Sequence, residues 1–402
     1  MRALFVITLA LGSSAALGLG AAWYLRPAIE GPVTGPAFDP DFTPPAPVAV
    51  VEEGAPVVAA PSEADRWNER NNAALAALAK GDLDTALAEL RACYQANPGE
   101  PTFLRNLVET LARLARGLWT QGDRQEAIWK LEEAVELSHS LPEAEARDDL
   151  ARLLERWERE FAVESDFWED VSFHFELSYD ANHEDLLHGY QEVLDRAEAA
   201  YADLRDFFGF DPVFESGRRL RLTLYRRERF QEVTGLESWA GGAFDGTIRL
   251  PVADLKVQLG AMDQLLRHEL THAYLDAAPT GGPVPGWFNE GLAQYLSGEG
   301  PQVRSHAKEL LAAGPLELST LVGTFARWSD PTAVARAYTQ SLISIDAIAE
   351  RYGERFVADL VTDLDDTGES STGTPEARLE AAFVARTGWT LAELIAEKFQ
   401  QL

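Results

Sequence analysis

The stretch Leu265–Pro279 reads LLRHELTHAYLDAAP and sets two histidines four positions apart, with a glutamate directly after the first. On an α-helix, residues i and i+4 lie one turn apart on one face, so His268 and His272 can offer their imidazoles to a single ion. Glu269, turned by about 100° around the axis, would stand beside that ion and reach a water bound to it. A zinc ion in such a place keeps one coordination position open and lowers the pKa of a water toward ~7, leaving a carboxylate to collect the proton. The chemistry needs a third protein ligand. Glu290, eighteen positions after His272 within GWFNEGLAQYLSGEG, can supply it if the intervening Gly- and Pro-rich loop folds a second helix back on the first. His268, His272 and Glu290 would then hold one Zn2+ per chain, with a place free for water or substrate. The competing reading is an apolar helix face that carries two ordinary histidines. Against it, the chain has only seven histidines in 402 residues, and a chance HExxH with a well-placed glutamate downstream is rare at that density. His139, His174, His183, His188 and His306 share no ligand spacing with the motif and read as surface or core residues.

HELTH followed by NEGLA resembles the gluzincin zinc metallopeptidases, the thermolysin-like group whose third ligand is a glutamate on the following helix. More closely, WAGGAFDGTIRLPV, LLRHELTHAYL, GWFNEGLAQYLSG and AYTQSLISIDAIAERYG together resemble the peptidase-MA-like domain that follows tetratricopeptide repeats in bacterial envelope proteins. The resemblance covers roughly residues 170–400. It implies that His268, His272 and Glu290 are the zinc ligands and Glu269 the general base. It also matches Tyr338 to a tyrosine of the family's pattern, as a donor to the oxyanion or as a packing residue. Where the thermolysin-like enzymes carry an acid one turn after the glutamate ligand, this chain has the uncharged Gln294, which departs from the pattern that steadies a histidine. Asn289 reads either as a helix cap or as a residue holding the loop near the metal. Asp276 reads as a partner of the metal's ligands or as an exposed acid. Gluzincins bind an extended peptide along an edge strand, and Gly241–Val252 is either such an edge or a plain hairpin.

These residues need elements to hold them. FHFELSYD (Phe173–Asp180) and RLRLTLY (Arg219–Tyr225) alternate as strands do. A long helix is expected from His183 to Phe208 and a short one over RERFQEVTG, and Asp245-Gly246 reads as a hairpin turn. Upstream, residues 64–163 are helical throughout. Ala74, Leu78, Gly81, Ala86, Leu90 and Pro98 stand where a tetratricopeptide repeat places its packing and turn residues, and Gly122-Asp123, Ala127, Leu131 and Pro142 repeat the device. The step of 41 residues exceeds the usual 34. Helix 143–162 would cap the array.

Length and composition set the frame. A chain of 402 residues suggests two or three units. The formal charge of −30 is spread along the chain and repels nucleic acid, so no nucleic-acid partner is expected. Cys93 is the sole cysteine, which excludes an intramolecular disulfide and a Cys-based zinc site, and its apolar helical context reads as a buried thiol. Ala3–Leu25 is an uncharged run between Arg2 and Arg26, long enough to span a bilayer. An uncleaved anchor and a cleaved signal peptide both remain open, and either puts the rest of the chain outside the cytoplasm, on the periplasmic side of the cell envelope or secreted. Residues 27–63, rich in Pro and Ala, read as a spacer.

The expected architecture is α+β: a transmembrane anchor or signal peptide at 1–26, a linker at 27–63, tetratricopeptide-like repeats at 64–163 and a thermolysin-like zincin domain at 165–402. The expected function is a membrane-tethered zinc metallopeptidase acting on a peptide or protein substrate, with a protein partner on the repeats as a further expectation. The alternative is a non-catalytic binding or assembly protein working through its repeats, with an inactive zincin-like domain. A third reading gives the metal site a cell-wall peptide as substrate.

Overall fold

The computed structural model describes residues 62–212, 219–234, 242–278, 283–321, 323, 325, 328, 330–365 and 374–401. The apolar run Ala3–Leu25 and nearly all of the 27–63 spacer lie outside them. Among the described residues no helix is long and apolar enough to cross a membrane. The expectation of an α+β chain ending in a thermolysin-like domain is corrected: the described residues are mostly helical, at 73%, with a small mixed sheet, and the expected membrane segment lies outside them. The alternating runs fall in a sheet of five short strands, and the stretches around them, with helical periodicity, make up most of the described residues.

The chain divides into two compact units between Glu155 and Arg156. In the first, α1 (Glu63–Ala79), α2 (Leu83–Ala96), α3 (Pro101–Gln121) and α4 (Arg124–Ser138) pack each on the next. Ser62 and Asp65 form a capping box at the start of α1. Gly81 and Gly122 take left-handed φ values of 82° and 90° in the two interhelical turns, a conformation that L side chains resist. Ala74, Ala86, Leu90, Ala127 and Leu131 are buried where the helices approach. Cys93 is buried as well, its thiol donating to the Trp67 carbonyl.

Helix α5 (Ala144–Glu164) carries the chain across the division. The sequence places a boundary after residue 163 because the helical period runs unbroken to that point. In the structure the last turns of α5 belong to the second unit, where Val163 packs with Tyr225, Phe230 and Val233.

The second unit has a five-stranded sheet in the order β1-β2-β3-β5-β4. Its strands are β1 (Trp168–Val171), β2 (Phe175–Tyr179), β3 (Leu220–Arg226), β4 (Ala243–Phe244) and β5 (Thr247–Val252). β2, β3 and β5 are parallel, and the two edge strands run antiparallel to their neighbours. The expected hairpin is present: Phe244 faces Ile248, and Gly246 turns at φ 98°. β1 is short and mostly exposed, and its WEDV lacks the alternation that would mark it as a strand.

Period-2 alternation divides the sheet's two faces. Phe175, Leu177, Leu222, Leu224, Ile248 and Leu250 join a core with α6 (Glu184–Phe208) and α8 (Leu255–Ala277). Helix α7 (Arg227–Thr234) follows β3, and its Phe230 and Val233 cluster with Tyr225 and Ala243. The opposite face also carries Arg249, held by Glu160 at 2.8 Å and by Asp245, while Arg156 pairs with Asp245 at 2.8 Å. After α8 come α9 (Gly286–Ser297), α10 (Gly300–Leu310), α11 (Pro331–Tyr352), α12 (Glu354–Thr362), α13 (Pro375–Thr387) and α14 (Leu391–Phe399). α9 packs on both α8 and α11.

Candidate metal centre

Helix α8 starts at Asp254, whose side chain accepts from the Lys256 amide. From His268 to Leu275 every residue is buried, so this stretch is an interior helix and not an amphipathic surface one. Tyr274 anchors it by stacking on Phe208 at 5.1 Å and donating to the Tyr201 carbonyl at 3.0 Å. Helix α9 is buried continuously from Trp287 to Gln294. Gly291 lets α11 come close, since a Cβ there would lie 2.6 Å from the Ser341 carbonyl carbon.

This packing brings His268, His272 and Glu290 together, with one ligand atom from each within 4.8 Å of the others. Glu290 Oε2 is 3.7 Å from His268 Nε2 and 3.9 Å from His272 Nε2. These separations exceed hydrogen-bond range. They approach the ~3.4 Å between ligand atoms that tetrahedral zinc imposes with bonds near 2.1 Å. His268 Nε2 and Glu290 Oε2 are buried and have no hydrogen-bond partner.

The remaining ring nitrogens are engaged. His268 Nδ1 lies 3.1 Å from Glu299 Oε1, and His272 Nδ1 lies 2.6 Å from Asn289 Oδ1. Both partners are acceptors, so each Nδ1 carries a hydrogen, which leaves each Nε2 as the atom that would bind an ion. Asn289 thus serves a histidine, while Pro285 occupies the helix cap. Gln294 serves neither histidine, because its amide donates to the carbonyls of Glu290 and Tyr338. The acid that steadies His268 comes instead from Glu299, which no sequence spacing singled out. Asp276 is exposed.

Three carboxylates, Glu269, Glu290 and Glu299, are buried here, and among the described residues no lysine or arginine pairs with them. Burial pushes the Glu269 carboxyl up to about 8, and Glu290 and Glu299 add to the rise while His268 opposes it. Burial likewise raises Glu290. Burial alone would lower His268, but Glu299 and Glu290 outweigh it and hold the imidazole well above its ordinary value. Burial and the neighbouring His268 push His272 well below. So much buried negative charge is costly without a counter-charge. A divalent cation bound by two imidazoles and a carboxylate would supply it, and a borderline N2O donor set suits zinc. The residues therefore fit the ion.

Tyr338 on α11 is buried, and its ring sits 5.3 Å from Phe325. Its hydroxyl has no hydrogen-bond partner. Burial, then the charges of Glu290, Glu269 and Glu299, raise the phenol well above its ordinary range, so it stays a protonated donor facing the acidic cluster. Of the remaining histidines, His174 binds Glu198 at 2.6 Å and stacks on Tyr201.

No protein-family model matches the chain, and no curated protein matches it.

Proposed function

We infer that the chain is a zinc-dependent metallopeptidase of the gluzincin type, in which His268, His272 and Glu290 hold the ion. The observation that supports this most is the convergence of His268 Nε2 and His272 Nε2 on Glu290 Oε2, each with its Nδ1 tied to a separate acceptor. Zinc held there would act as a Lewis acid, polarising a peptide carbonyl and acidifying a water. Glu269 takes the proton of the attacking water and delivers it to the departing amine; its two oxygens have no hydrogen-bond partner and are free for that task. Glu299 and Asn289 fix the tautomer and orientation of the two histidines. The Tyr338 hydroxyl donates to the developing oxyanion.

The test is hydrolysis of a quenched fluorescent peptide library by the purified zinc-loaded chain beside Glu269→Gln. Glu269→Gln is expected to keep its zinc and lose 10²- to 10⁴-fold in rate, the usual worth of a general base at about that scale. Equal rates in the two proteins would contradict the mechanism.

A further inference from the structure

The Glu269 carboxylate meets a wall of main chain at Gly242. A Cβ built on Gly242 would lie 2.8 Å from Glu269 Cδ and 3.0 Å from Cγ, and would collide with Oε1. Gly242 is buried and has no left-handed φ, so its backbone conformation does not demand glycine. Space does. The three nearest atoms all belong to the Glu269 side chain, so an added methyl meets that side chain first.

The wall is firmly held. Gly242 leads directly into β4, where Ala243 pairs with Arg249 of β5. Arg249 is clamped in turn by Glu160 at 2.8 Å and by Asp245. Glu269, by contrast, has no hydrogen bond to either carboxylate oxygen. A side chain with no polar tether keeps its rotamer only through what packs against it.

We propose that Gly242 is a positioning residue for Glu269: the bare main chain at 242 sets where the carboxylate stands, and any side chain there moves it off line. The proposal rests on the reading of Glu269 as general base, and it concerns the base, since the three atoms nearest the added methyl all belong to Glu269. A misplacement of ~1 Å at a reacting group costs on the order of 100-fold in rate.

The experiment is Gly242→Ala in the full chain, with three readouts. Zinc content and melting temperature should match the parent. The kcat should fall about 100-fold with KM unchanged, the pattern of an interaction made in the transition state. A crystal structure of the metal-free variant should show the Glu269 carboxylate displaced, with His268, His272 and Glu290 in place. That last readout stands even if no peptide is cleaved by the parent, so failure of the functional reading and failure of this inference are distinguishable.

A double-mutant cycle guards against a general packing defect. Glu269→Asp retracts the carboxylate by about one bond length, ~1.5 Å, and in that background Gly242→Ala should cost far less than it does alone. An unmoved carboxylate, a loss of zinc, a rise in KM without loss of kcat, or equal penalties in both backgrounds would each overturn the proposal.

Discussion

The second unit buries two clusters of charged side chains, and they are built on opposite plans. Arg156, Glu160, Asp245 and Arg249 place two positive groups among two negative ones, with Arg249 bonded to both acids and Arg156 to Asp245. Around His268 and His272 stand Glu269, Glu290 and Glu299, with no lysine or arginine paired to them among the described residues. The first cluster is electrically complete and clamps a hairpin onto the end of α5. The second leaves His268 Nε2, Glu290 Oε2 and both Glu269 oxygens without hydrogen bonds. Folding alone does not favour such an arrangement. The difference separates a cluster that closes on itself from one whose open donor atoms support the proposed cation site.

Substitutions should separate the two. Glu269→Gln has the greatest consequence, 10²- to 10⁴-fold in hydrolysis at about the same stability, read by peptide cleavage beside zinc analysis. Arg249→Met removes one side of a buried ion pair and should cost about 3–5 kcal/mol in urea unfolding. The same variant should bind zinc normally while it stays folded, and loss of zinc affinity in the folded protein would erase the distinction between the clusters. Glu299→Gln should weaken zinc binding by about 10- to 100-fold with little change in the metal-free protein, which competition with a chromogenic chelator would measure. Arg91→Ala in the first unit removes a pair to Glu133 whose side chains are 37% and 36% exposed, and solvent screening should limit its cost to less than about 1 kcal/mol.

The proposed ligands were legible in the sequence because helix geometry fixes what spacing means: His268 and His272 share a face wherever the helix forms. Glu290 could be named because a helix start follows a loop of the right length. Glu299 could not be, since it reaches His268 from 31 positions away across a turn, and no periodicity links them. Asn289 remained undecided between cap and ligand support until Pro285 was found in the cap position. The contact of Gly242 with Glu269 is tertiary packing and leaves no trace in local pattern. The same limit explains the boundary inside α5, because an unbroken helical period hides the residue at which a helix changes partners.

Elemental analysis shows whether the unbalanced cluster binds one zinc ion. The chain is purified without chelator beside His268→Ala, and zinc is measured per chain. About one zinc per parent chain and close to none in the variant are expected, with a matching drop in melting temperature when the parent is stripped by a chelator. A folded parent that carries no zinc and gains no stability from added zinc would contradict it.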